Sequence, residues 1–295
     1  MSHPEHPSER GHEARRGLAP WAAERARRLV GAALLAIAFL LVGVIADSGR
    51  TMPADLAAVA ALTAVHGGPL DVVMRIISRL GDGASLAVFT GALATFLVTD
   101  GRYRAGLYIF LTFVAAEWGT VIFKNVFLRP RPIEAPPVVP DLPPLVASAV
   151  VVLLGLILLI VLQPWRNRLA LLIVPITAVA SLFGSDLAAA AAAIRIDSYP
   201  SGHAFRTAAL ATSLFVVLPD PRGRIARTIA VVIVALIGIS RVYLSEHFPT
   251  DVLGGWLAGT AVALLLGALL VEPSGARETP FAETGSALQQ EQAGG

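Results

Sequence analysis

The chain has 295 residues, of which 55% are hydrophobic and only 15% charged, with a formal net charge of +2 and a pI of about 9.4. Soluble domains average about 25% charged residues, so an ordinary soluble domain is excluded, and so small a net charge does not supply the concentrated basic face of a nucleic-acid binder. Cysteine is absent, which rules out disulfides, thiolate catalysis and cysteine-ligated metals.

In chain order, residues 1–28 are rich in His, Pro, Glu and Arg, carry no helical apolar stripe and read as a disordered cytoplasmic tail. The apolar run 29–46 follows Arg25, Arg27 and Arg28 and is too long for a signal-peptide core, so it reads as a retained first span. Residues 53–80 differ. After Pro69, which suits a first helical turn, Leu70, Val73, Ile76, Ile77 and Leu80 share one face, while Asp71, Arg75 and Arg79 point elsewhere. That pattern fits an amphipathic helix in the membrane interface, with a short connector helix as the alternative. Apolar segments then recur at 84–99, 105–127, 145–162, 169–194, 204–218, 225–243 and 252–271, and residues 272–295 read as a second disordered cytoplasmic tail. A bilayer core needs about 20 apolar residues per helix. The fold expected is therefore an all-α, polytopic transmembrane bundle of about eight spans, with 29–271 as one domain. Arg102 and Arg104, Arg166 and Arg168, and Arg222, Arg224 and Arg227 all fall in loops on the N-terminal side, which places both termini inside.

Three motifs fall on the opposite face. Lys124, the single lysine among 23 basic residues, opens Lys124-x6-Arg131-Pro132 and suggests a site needing a compact ammonium. Alone, such residues read first as topology signals or snorkelling anchors. Pro200-Ser201-Gly202-His203 stands directly before the apolar run from Ala204. It is either an ordinary capped helix start with an interfacial histidine or a helix N-terminus that binds an anion beside His203. Ser240-Arg241-x5-His247-x3-Asp251 places Asp251 in the first turn of the last helix after Pro249. There the carboxylate can orient one imidazole nitrogen and leave the other free to attack. The plainer alternative is a capping Asp and a headgroup-level His.

Taken together, in this order and on one face, the motifs resemble those of the type-2 phosphatidate phosphatase superfamily, the lipid phosphate phosphatases, whose motifs vanadium haloperoxidases share. The resemblance covers about residues 84–271 and matches every fixed motif position. It implies a six-helix phosphatase core with His247 as the nucleophile that carries the phosphoryl group. Asp251 would orient His247, and His203 would protonate the leaving oxygen. Lys124, Arg131 and Arg241, with Ser201 and the Gly202 N–H, would hold the phosphate oxygens. Such a site needs no metal and no cofactor. Its partners would be a lipid phosphate or diphosphate and the membrane lipids, with the site on the periplasmic or extracellular face of the inner membrane. Undecaprenyl diphosphate, phosphatidylglycerol phosphate and phosphatidate are the substrates the resemblance suggests. One departure is the long segment between the first and second motifs, 133–195, which reads as a two-span insertion. Two spans return His203 to the face of Lys124; one would strand it.

Outside the motifs, Glu117 lies seven residues before Lys124, so the two share a helical face about 10 Å apart. An interhelical packing bond is the first reading of Glu117 and a direct role the second. Arg129 and Arg206, beside the motifs, could bind a second anionic group and so favour diphosphates. His66 reads as a solvated loop histidine, and His3, His6 and His12 as tail composition. Two other functions compete: a phosphotransferase working through the same phosphohistidine, and a non-enzymatic protein that binds anionic lipid. The latter explains the cations but neither the two histidines nor the His247–Asp251 spacing.

Overall fold

A computed structural model describes residues 7–132, 197–218 and 223–271. These residues form eight helices and, apart from one isolated bridge between Pro130 and Asp197, no β-structure. The helices are α1 (Pro7–Asp47), α2 (Met52–Thr63), α3 (Gly68–Arg79), α4 (Gly83–Thr99), α5 (Tyr103–Val126), α6 (Gly202–Val217), α7 (Gly223–Tyr243) and α8 (Pro249–Leu270). The expected spans at 145–162 and 169–194, and the tail from 272, lie outside the described residues.

Among the described residues, four helices are long and apolar enough to cross a membrane: Trp21–Asp47 of α1, and α5, α7 and α8. Their outward faces carry large apolar side chains, such as Leu34, Leu41 and Val44 on α1 and Ile229, Val231 and Val232 on α7, that a water-soluble bundle would bury. The chain is an integral membrane protein. Helices α4 and α6, with 17 and 16 residues, are shorter. At about 1.5 Å per residue, neither reaches the roughly 30 Å of a bilayer core.

The first helix, expected to begin near residue 29, runs from Pro7 to Asp47. Glu24 there pairs with Arg27 at 2.6 Å and Arg28 at 3.1 Å, the i,i+3 and i,i+4 spacing that supports a helix lacking an apolar stripe. Arg28 also donates to the carbonyls of Gly267 and Val271, tying the start of α1 to the end of α8.

Helix α8 is the axis of the bundle and packs on α6, α1 and α5. Gly255 and Gly259, one turn apart, make its contact with α6 possible. A Cβ on Gly259 would lie 2.2 Å from the Phe205 carbonyl oxygen, and one on Gly255 2.6 Å from that of Ser201. Small residues at this spacing let membrane helices approach backbone to backbone. The close approach draws the start of α6, with its motif, against the start of α8.

At that same end lie the ends of α1, α5 and α7 and the two short helices α2 and α3. On α3 the apolar residues Leu70, Val73 and Ile76 face outward while Asp71 and Ser78 are buried. This is the expected amphipathic helix, with its polar side turned into the bundle rather than to water.

A candidate active site at one end of the bundle

The first motif comes off the C-terminus of α5. Lys124 sits in its last turn and donates to the Asp197 carbonyl at 2.6 Å. The two X-Pro steps beyond keep the chain extended, and the Arg129 carbonyl accepts from the Ser198 N–H at 2.6 Å. That strap holds the first motif beside the second.

The second motif starts α6. Ser201 occupies the N-cap position, but its hydroxyl makes no capping bond. It is fully buried and finds no hydrogen-bond partner among the described residues. His203 stands in the first turn, where its Nε2 meets Asp82 Oδ1 at 2.7 Å.

The third motif spans the α7–α8 turn. Arg241, in the last turn of α7, donates to Ser78 Oγ at 2.5 Å and lies 3.3 Å from the Glu246 carboxylate. Arg131 reaches the same Glu246 oxygen at 2.6 Å. One carboxylate thus bridges two of the three cations expected at the phosphate. The charge of these arginines, working against burial, holds Glu246 below the usual carboxylate range. Ser245, left-handed at φ 55°, turns the chain into His247.

His247 is 2% exposed, and its Nδ1 lies 3.5 Å from Asp251 Oδ2. Burial pushes this imidazole down to about 4, and Arg241 and Lys124 push the same way, against the opposing pull of Asp251. Asp251 Oδ2 also accepts from the Phe248 N–H at 2.8 Å, so Asp251 both caps α8 and faces the histidine. Its other oxygen accepts from Arg129 at 2.7 Å.

Arg129 departs from the sequence expectation. It is 2% exposed, with Nη1 on Asp251 and Nη2 on Asp55 Oδ2 at 2.6 Å, and its guanidinium stacks on Phe248. An arginine locked between two carboxylates has no face for a second anionic group. Arg206 pairs with Glu117 at 3.1 Å across α5 and α6, the packing role first read for Glu117. Its charge still acts on Lys124, His203 and Arg241. His66 is not a solvated loop residue either: it bonds the Tyr243 carbonyl and packs its ring 4.4 Å from that of Tyr243.

Four side chains at the site escaped the sequence reading: Asp55, Asp82, Ser198 and Glu246. Asp55 left a signal, being a carboxylate inside the apolar α2 segment. Glu246 adjoins His247 in sequence. Asp82 and Ser198 gave none, because their partners lie 121 and 53 residues away.

Residues 105–272 match the pattern of the PAP2 superfamily. Among curated proteins, 75 residues are 41% identical to phosphatidylglycerophosphatase B of Bacillus subtilis, covering 23% of this chain and 37% of that protein. A further match is 35% identical over 68 residues to an undecaprenyl-diphosphatase of Sulfolobus acidocaldarius, covering 23% and 31%. Each match spans about a third of the relative's length. The crystal structure of a transmembrane PAP2-type phosphatidylglycerolphosphate phosphatase from Bacillus subtilis has the same fold. Its TM-score is 0.56 at 22% identity, over 82% of this chain and 96% of that one.

Proposed function

The chain belongs to the PAP2 superfamily, and from that premise we propose that it is a membrane phosphatase hydrolysing a lipid phosphate monoester or diphosphate through a phosphohistidine on His247. The observation that carries this proposal is the pairing of a buried, neutral His247 with Asp251 beside the Arg131–Glu246–Arg241 bridge. The substrate phosphate displaces the Glu246 carboxylate and is held by Arg131, Arg241, Lys124, the Ser201 hydroxyl and the free N–H groups that open α6. His247 Nε2 forms the bond to phosphorus as the bond to the leaving oxygen breaks, and His203 gives that oxygen its proton. Asp251 closes on Nδ1–H as the ring becomes cationic, since such contacts often tighten only once substrate is bound. Water then attacks phosphorus, His203 takes its proton, and the N–P bond breaks to release phosphate. Three cations and a helix N-terminus meet the charge on the equatorial oxygens, so no metal enters the scheme.

The named activities of the two curated relatives point to phosphatidylglycerol phosphate and undecaprenyl diphosphate as the first substrates to try. The arginines around the start of α1 and the α4–α5 turn lie at the end opposite the site, which by the positive-inside rule supports a site on the outer face. The test is phosphate release from lipid mono- and diphosphates by detergent-purified protein in excess EDTA, with His247→Ala alongside. Release that survives chelation and is lost on the order of 10⁴-fold or more in the variant is the expected result. Release that needs a metal, or that His247→Ala retains, would overturn the mechanism.

A further inference from the structure

The turn Gly81-Asp82-Gly83 between α3 and α4 falls outside all three motifs, yet it is fitted to His203. A Cβ on Gly81 would lie 2.9 Å from His203 Cδ2, so a glycine is required for the turn to lie against the ring. Asp82 occupies the N-cap position of α4, where aspartate ordinarily bonds the helix's free N–H groups. It makes no capping bond. Its Oδ1 instead meets His203 Nε2 at 2.7 Å, and its Oδ2 is held by Arg79 at 3.1 Å. With the Cδ2–Nε2 edge of the imidazole against this turn, the Nδ1 edge is the one left for proton exchange.

We propose that Asp82 is the positioning residue of the leaving-group acid, fixing the tautomer and orientation of His203 as Asp251 does for His247. This rests on the phosphohistidine reading above. In the first half-reaction His203 is the imidazolium, bonded through Nε2–H to Asp82, and Nδ1–H passes its proton to the leaving oxygen. The neutral ring that remains is the Nε2–H tautomer, which Asp82 stabilises. In the second half-reaction Nδ1 accepts the proton of the attacking water, and the imidazolium re-forms on the same carboxylate. Burial first, then the charge of Arg241, hold His203 well below the usual imidazole range, and Asp82 is the contribution that opposes them. Against the pull of burial, the hydrogen bond and charge of His203, with Arg79 behind them, hold Asp82 itself down at about 2, so it stays ionised.

The signature of such a residue is selectivity for the leaving group, which a purely structural ion pair would not produce. The experiment compares wild type, Asp82→Asn, His203→Ala and the double variant. Substrates are the lipid phosphate monoester that the wild type turns over fastest, whose alkoxide must be protonated, and p-nitrophenyl phosphate, whose leaving group need not be. Asp82→Asn is expected to lower kcat/KM, which reports phosphoenzyme formation alone, by about 10²-fold on the lipid and by no more than about threefold on p-nitrophenyl phosphate. Its kcat, which includes the shared dephosphorylation step, falls on both. In the double-mutant cycle, Asp82→Asn added to His203→Ala is expected to change nothing further. Asp82→Glu, which keeps the charge on a longer arm, is expected to recover part of the loss on the lipid, and it serves as the test variant if Asp82→Asn does not fold. Equal losses of kcat/KM on both substrates, additive losses in the cycle, or full lipid activity in Asp82→Asn would each overturn the proposal. Wild type without His247-dependent turnover would instead overturn the functional reading beneath it.

Discussion

The two histidines of the site live in unlike surroundings. His247 is sealed in: Asp251 faces it with no exposure, Arg129 braces Asp251 from behind, and Asp55 braces Arg129 from α2. His203 and its neighbours stand nearer the rim, where Asp82 is 28% and the side chains of Arg131 and Glu246 are 36% and 41% exposed. In the proposed mechanism the sealed side serves a nucleophile that must be neutral and held at one angle. The open side would then hold the pieces that exchange partners during turnover, namely the proposed proton donor and the arginines proposed to bind the anion. Rigidity here follows burial and charge pairing, and exchange follows exposure.

The largest test of that contrast is Arg129→Met. It removes the cation between two buried carboxylates, and breaking a buried pair by deleting one partner costs about 3–5 kcal/mol. The variant is expected to lose most of its thermal stability and all turnover, whereas Arg131→Met, at the rim, leaves stability within about 1 kcal/mol and loses only activity. Scanning fluorimetry in detergent reads both. If Arg129→Met melts near wild type, the sealed side is not held by charge.

A second test uses the depressed His247. The folded ring protonates near pH 4 and the free ring near 6.5, so between these values the unfolded chain binds the extra proton. Stability therefore falls as the pH is lowered through that window, by at most about 3 kcal/mol from this residue. His247→Gln is expected to flatten the fall in melting temperature between pH 6.5 and 4. An unchanged slope would mean that His247 titrates as an open histidine.

The same division governs what the sequence made legible. Motif spacing picked out residues whose local geometry helix ends and prolines fix: Lys124 in a last turn, Ser201 at an N-cap position, Asp251 in a first turn. It misassigned Arg129, since residues 129 and 131 look alike in an extended Arg-Pro-Arg-Pro strip and only the docking of α2 shows which is sealed. It did not find Asp82, because the α3–α4 turn reaches His203 through tertiary packing with no periodicity to announce it. Hydropathy located the apolar runs of α1, α5, α7 and α8 but not the extension of α1 back to Pro7, which carries no apolar stripe.

The smallest effect should come from the rim carboxylate itself. Glu246 holds Arg131 and Arg241 as a phosphate would, so binding an anion means giving up two ion pairs to gain two or three new ones. Half-exposed pairs of this kind are each worth at most about 1 kcal/mol, so the competition is mild. Glu246→Gln keeps the shape and removes the charge, and it is expected to tighten inhibition by inorganic phosphate up to about fivefold at constant pH, an energy of about 1 kcal/mol. The opposite sign is just as informative. If Glu246→Gln weakens phosphate binding, the carboxylate is not a competitor but a brace that holds the two guanidiniums parallel. The rim would then be as fixed as the sealed side, and the contrast between the two histidines would reduce to depth alone.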